Sequence, residues 1–239
     1  MKNLKKTVFT LNVNDYAPEI RAITYPLLKY WAHKIGAEFF EINVRRFPEW
    51  PVPYEKFQIY FLAQEMENDW NIYLDADTLV HPGTPDWTLY LGKDTIAQHG
   101  SDVASIRLRY NQYMMRDGRN YGSAGWFTIA SDWCLDLWHP AIITPEEAIN
   151  SCFPTHQEAN AGIKAEHLVD DYIMSSNIAR FGLKTKKLTD LRKQIGLGDL
   201  ALHSHAFMMS NEEKVRLLTE IVTNWEIPEY VRNYGKEEV

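Results

Sequence analysis

The chain has 239 residues, with 25 Lys and Arg against 32 Asp and Glu, a formal charge of −7. That balance argues against an extended nucleic-acid footprint, which needs clustered cations. At 45% hydrophobic and 24% charged residues the composition is that of a globular protein, long enough for one large α/β domain or two small ones.

The first predicted element is a strand at 7–11, Thr-Val-Phe-Thr-Leu. The basic N-terminus and the apolar run at 7–13 are too short and too polar for a signal peptide or a membrane anchor. A polar loop follows at 12–18. Ile20, Ile23, Leu27, Trp31 and Ile35 then recur at helical spacing, with Gly36 as the stop and Pro26 as a kink or the true start. A second strand is expected at 37–44, a proline-rich loop at 45–53 and a second helix at 54–68. The strand Ile72-Tyr73-Leu74 runs into Asp75-Ala76-Asp77. Strand, helix, strand, helix, strand is α/β winding with a mainly parallel sheet, and ligands of such sheets sit at the strands' carboxyl ends.

Beyond this point the pattern is less regular. A Gly-rich turn at 122–125 leads into a strand at 126–130, followed by a short helix at 132–138 capped by Ser131 or Asp132 and another beginning at 145. Residues 151–165 are expected to be an exposed loop. A helix at 168–180, stopped by Gly182, a strand at 199–203 and an amphipathic helix at 211–224 complete the reading. With no repeat or linker, the expectation is one domain spanning 1–239. Cys134 and Cys152 stand in no metal-ligand spacing, which predicts free thiols and a cytoplasmic protein. Aromatic residues, 13% of the chain, are read as core, Trp31, Phe57 and Phe61 among them. Arg107, Arg109, Arg116 and Arg119 crowd one segment and read as a solvated surface, or as a patch facing an anionic substrate.

Three elements could carry chemistry. Asp75 and Asp77, spaced i, i+2 at a strand end, share a face and can turn toward one ion. Two hard oxygen donors suit Mg²⁺ or Mn²⁺, whose remaining positions go to water and phosphate oxygens. Asp170 and Asp171 open a helix, where the dipole favours carboxylates. His203 and His205 close the late strand, and an imidazole there can complete a site begun by two carboxylates. Each also has a plain structural reading, as solubilising acids, helix N-terminal acids and a core or surface histidine.

In this order the motifs resemble the metal-dependent nucleotide-sugar glycosyltransferases of the GT-A fold, and among them the glycogenin and bacterial lipopolysaccharide galactosyltransferase group. The resemblance rests on Thr10-Leu11-Asn12-Val13-Asn14-Asp15-Tyr16, on Tyr54-Glu55-Lys56-Phe57 ahead of Asp75-Ala76-Asp77, on Gly122-Ser123-Ala124-Gly125-Trp126-Phe127, on Val169-Asp170-Asp171-Tyr172, and on the late histidine. It implies a GT-A fold, a mainly parallel mixed sheet flanked by helices, and transfer of a sugar from a nucleotide-diphosphate sugar (a UDP-sugar, with a GDP-sugar open) to a hydroxyl of unknown class. It implies that Leu11, Asn12, Asn14 and Tyr16 hold base and ribose, and that Asp75 and Asp77 hold Mn²⁺ or Mg²⁺ with His203 as third ligand, Asp75 also touching ribose or sugar. Lys56 would lie near the phosphates or donor sugar, although a surface position is its plainer reading, and Gly125 would line the sugar pocket. Asp171, with Asp170, would be the carboxylate at the reacting carbon: a base if the reaction inverts, a stabiliser or transient nucleophile if it retains.

One departure stands out. The glycogenin-like group follows its histidine with a Gly and then Lys-Pro-Trp, whereas His203 is followed here by Ser-His-Ala-Phe-Met-Met. Two other readings stay open: a haloacid-dehalogenase-like Mg²⁺ phosphatase, for which Asp77-Thr78-Leu79 lacks the expected Gly, and a sugar-nucleotide-binding domain without turnover.

Overall fold

The computed structural model describes residues 4–99, 125–197, 202–206 and 208–236. The four clustered arginines and the turn residues 122–124 lie outside them. Strands β1 (Lys6–Leu11), β2 (Glu38–Ile42), β3 (Trp70–Leu74), β5 (Thr95–Gln98), β6 (Phe127–Ser131) and β7 (Lys184–Lys187) form one sheet in the order β2-β1-β3-β6-β5-β7. Pairs β1–β2, β1–β3 and β5–β7 are parallel, while β6 runs antiparallel to both its neighbours. The sheet is therefore mixed and mainly parallel. A separate antiparallel pair joins β4 (Thr78–Val80) to β8 (His203–His205).

Alternation along the strands divides the core. Val8, Ile72, Leu74 and Ile129 pack on one face with Leu28 and Trp31 of helix α1 (Pro18–Lys34). Phe9, Tyr73 and Ala130 pack on the other, with Ile59 and Ala63 of α2 (Ile59–Glu65) and with Ile173 and Ile178 of α5 (Val169–Phe181). Pro26 sits inside α1 without ending it. The expected helix at 54–68 is two elements, a 3₁₀ segment Val52–Gln58 and then α2. The expected 132–138 helix is also 3₁₀.

Within 151–165, expected as loop, α4 (His156–Asn160) forms behind a Thr155/Glu158 capping box; it follows α3 (Pro145–Asn150). Helix α5 ends on Gly182 in the left-handed conformation, φ 64°, as its sequence suggests. Then come α6 (Leu188–Gln194), α7 (Asn211–Asn224) and α8 (Glu229–Arg232). A third apolar cluster seats the C-terminal elements on α1: Ile20 and Leu27 meet Leu79, Ala206, Leu218 and Val231. Among the described residues no helix is long and apolar enough to cross a membrane.

The chain leaves β1 for β2 on one side and returns to β3 on the other. The carboxyl ends of β1 and β3 thus form a switch point, where open α/β sheets accept ligands.

Candidate metal and donor site

Just past the end of β3, Asp75 and Asp77 meet an imidazole, and that imidazole belongs to His205. One ligand atom from each of Asp75, Asp77 and His205 lies within 4.8 Å of the others. His205 Nε2 stands 3.0 Å from Asp77 Oδ1 and 3.5 Å from Asp75 Oδ2. The expectation of His203 is corrected by strand register. Antiparallel pairing sets His205 opposite Thr78, the residue after Asp77, and His203 opposite Val80, two residues or about 7 Å farther along the strand. His203 packs instead against Phe127, Trp126 and His99. The strand expected at 199–203 begins, among the described residues, where it was expected to end.

The acidic turn is held from behind. Thr24 of α1 donates to the Ala76 carbonyl at 2.6 Å, and the Asp75 N–H donates to the Trp126 carbonyl at 2.9 Å. Tyr73, two residues earlier on β3 and on the same face, donates its hydroxyl to Asp75 Oδ1 at 2.7 Å. Burial raises the pKa of that phenol, and the Asp75 charge raises it further, so it stays a donor.

Two lysines neutralise the cluster. Lys56, expected at the surface, is 2% exposed. Its 3₁₀ segment is anchored by buried Glu55, which accepts from Arg45, Arg46 and Phe47. Its ammonium ion-pairs with Asp170 and stands 3.6 Å from Asp75 and 4.5 Å from the centre of the Tyr73 ring. Burial alone would lower its pKa; Asp170, Asp75 and Asp171 outweigh burial and raise it. For Asp170 the balance runs the other way, burial raising its pKa against the pull of Lys56. The raised pKa of Lys56 keeps its ammonium protonated.

Lys214 Nζ lies 2.5 Å from Asp77 Oδ2 and 3.4 Å from the Tyr16 hydroxyl. The pKa of Asp77 is penalised upward by burial but drawn well down by the His205 hydrogen bond and charge and by Lys214. His205 mirrors it: burial disfavours the imidazolium, and the Asp77 hydrogen bond and the two carboxylate charges raise its pKa.

A cleft of about 370 Å³ opens over these groups. Leu11, Val13, Tyr16, Met208, Met209 and Lys214 line it together with Pro53, Lys56, Ile163, His167 and Asp170, and so do Asp75, Asp77 and His205. Asn12 and Asn14 are not among the lining residues. Asn12 donates to Glu41 at 2.9 Å, and Asn14 is exposed with φ 61°. Gly125 also stands apart from the lining. Its N–H donates to Asp171 Oδ1 at 2.6 Å, and a Cβ there would come within 3.0 Å of Asp171 Oδ1 and of Met174 Sδ. Of the acidic pair on α5, it is Asp170 that reaches the cleft. Asp170 is 5% exposed, and its Oδ1 has no hydrogen-bond partner among the described residues.

The donor set fits a divalent ion. Two carboxylates and one imidazole converge, and carboxylates are the ligands that Mg²⁺ and Mn²⁺ prefer. Lys214 was missed at the sequence level, although its signal was present: Lys214, Leu218 and Val222 lie at i, i+4 and i+8 on the buried stripe of α7, and a lysine on such a stripe faces something anionic or polar within the protein.

No protein-family model matches the sequence, and no curated protein matches it. Solved structures do. The crystal structure of a glycosyltransferase involved in the glycosylation of the major capsid of PBCV-1 aligns with 90% of this chain and 99% of its own, at 13% identity and a TM-score of 0.52. The galactosyltransferase LgtC, in complex with donor and acceptor sugar analogs, aligns with 95% of this chain and 99% of its own, at 13% identity and a TM-score of 0.47. At this identity the first of these likenesses is one of architecture, and it agrees with the mixed, mainly parallel sheet flanked by helices: the chain has the GT-A fold of the nucleotide-sugar glycosyltransferases.

Proposed function

We propose that residues 1–239 form one catalytic domain, a metal-dependent glycosyltransferase that moves a sugar from a nucleoside-diphosphate sugar, a UDP-sugar in first place, to an acceptor hydroxyl. The observation that carries this reading is the meeting of Asp75, Asp77 and His205 at the end of β3, in a cleft that also presents Lys56, Asp170 and Lys214. Asp75, Asp77 and His205 would hold Mn²⁺ or Mg²⁺, and the bound ion supplies neutralising charge for the departing diphosphate.

The chain's own groups divide the remaining work. Leu11 and Tyr16 form the wall for base and ribose. Lys214, in contact with Asp77 and lining the cleft, would offer fixed positive charge to a phosphate oxygen where negative charge develops. Lys56 draws the Asp170 pKa back down against the rise that burial imposes. Asp170, with Oδ1 unengaged, is the carboxylate assigned to the reacting sugar, where positive charge grows at the anomeric carbon. Asp171 has one oxygen committed to Gly125 and is assigned to holding that turn. The two buried, free cysteines are in keeping with the cytoplasmic location expected from the sequence.

The test is incubation with UDP- and GDP-sugars and Mn²⁺. Release of nucleoside diphosphate, abolished in Asp75→Ala, Asp77→Ala and His205→Ala, supports the assignment. Release of inorganic phosphate from simple phosphomonoesters would favour a phosphatase, and donor binding without turnover a binding domain; either would overturn it.

A further inference from the structure

Trp126 touches two of the three groups that converge at the end of β3. Pairing of Leu74 with Phe127 carries Trp126 alongside Asp75, whose N–H its carbonyl accepts at 2.9 Å. Its indole lies flat against His205, with ring centroids 4.9 Å apart and planes 8° apart. The same indole meets His203 at 55° and His99 at 42°, so parallel stacking is specific to His205.

A histidine ligates only if its ring plane contains the direction to the ion. Rotation about the Cβ–Cγ bond is soft, because such torsions have broad minima. A flat indole against one face restricts that rotation. In the plane it allows, Nε2 stands 3.0 Å from Asp77 Oδ1 and 3.5 Å from Asp75 Oδ2. We propose that Trp126 is a positioning residue of this site: its stacked indole sets the plane of the His205 imidazole, so that Nε2 faces the same point as the two carboxylates. This rests on reading Asp75, Asp77 and His205 as the metal-holding set. It adds that the site is completed from the residue just before β6, which offers no side-chain ligand of its own. Groups that orient ligands in this way typically change metal affinity by about 10–100-fold when removed.

The experiment is a titration of the full chain with Mn²⁺, reading free ion by electron paramagnetic resonance without nucleotide or turnover. Wild type, Trp126→Leu, Trp126→Phe and His205→Ala are compared, with thermal unfolding of each in chelator. The expected result is a loss of affinity of about 10-fold or more in Trp126→Leu, near-wild-type affinity in Trp126→Phe, which keeps a flat face, and metal-free unfolding temperatures that do not follow the affinities. If Trp126→Leu does not fold, Trp126→Met carries the same expectation. Wild-type affinity in the aliphatic variant, or equal losses in the Phe and aliphatic variants, overturns the proposal while leaving the metal site standing. Absence of Mn²⁺ binding in wild type, or undiminished binding in His205→Ala, overturns the reading of the site and the proposal with it.

Discussion

Replacing Lys56 by Met removes the cation from beneath Asp170 while keeping most of the side-chain volume. Both partners are buried, Lys56 at 2% and Asp170 at 5% exposure, and their charged groups are in contact. A carboxylate left buried without its partner costs about 3–5 kcal/mol. For a chain of this length that corresponds to a fall of about 6–20 °C in unfolding temperature. The loss depends on pH in a definite sense. Burial already raises the Asp170 pKa, and Lys56 is the largest force opposing that rise. Without Lys56 the folded-state pKa climbs further above the unfolded value. Stability from a group raised in this way is fully present below the unfolded pKa and is lost as pH rises through the folded one. Lys56→Met should therefore be most damaging at neutral pH and approach wild type as the buffer is acidified toward the ordinary carboxylate range. Adding Asp170→Asn should recover most of the loss at neutral pH. Urea unfolding followed by tryptophan fluorescence, in chelator at pH 7.5 and 4.5, measures both effects. An equal loss at the two pH values, or a double variant no more stable than the single, would refute the view of this pair as a buried ion pair.

Burial, followed by the charges of His99 and Arg192, pushes the pKa of His203 down to about 4 from 6.5. A base depressed in the folded state contributes stability that is present above the unfolded pKa and drains away as pH falls from 6.5 toward 4, here by roughly 3 kcal/mol. Relative to His203→Leu, wild type should lose about that much over this window; parallel pH profiles would exclude a buried neutral His203. Burial raises the Cys134 thiol to about 11 and the Cys152 thiol to about 12. Since the thiolate is the nucleophile, iodoacetamide at pH 8 should label neither in the folded chain and both in urea. Intact-mass spectrometry checks this, and rapid labelling of either folded-state thiol would contradict the packing around it.

What could be read from the sequence was what local pattern controls. The apolar run into Asp75 and Asp77, the Gly182 stop of α5 and the periodic stripe of α7 each depend on neighbours within a few residues, and each stands where the pattern puts it. Strand β7, Lys-Thr-Lys-Lys, carries no apolar alternation because it is an edge strand, where lysines are favoured. Helix α4 is one turn held by its capping box, too short to show a period. The site was half legible. The Asp pair lies on one strand and identifies itself. The choice between His203 and His205 depends on the register of β8 against β4, a contact between residues about 125 positions apart in sequence that no spacing within Leu202-His203-Ser204-His205 reveals. Lys56 reads as a surface residue in the sequence because the groups it packs against, Asp170 and Tyr73, are remote along the chain. Asp170 and Asp171 are neighbours on one helix turn, and only packing shows that the first reaches the cleft while the second bonds to Gly125.

The central claim is that one divalent ion is held by Asp75, Asp77 and His205 against a nucleoside diphosphate. Anomalous diffraction from a crystal of the full chain soaked with Mn²⁺ and UDP tests it most directly. The account predicts one manganese peak in contact with both carboxylates and His205 Nε2, with diphosphate oxygens beside it and Lys214 turned toward them. A peak at His203, or UDP bound with no manganese between it and the two aspartates, would contradict it.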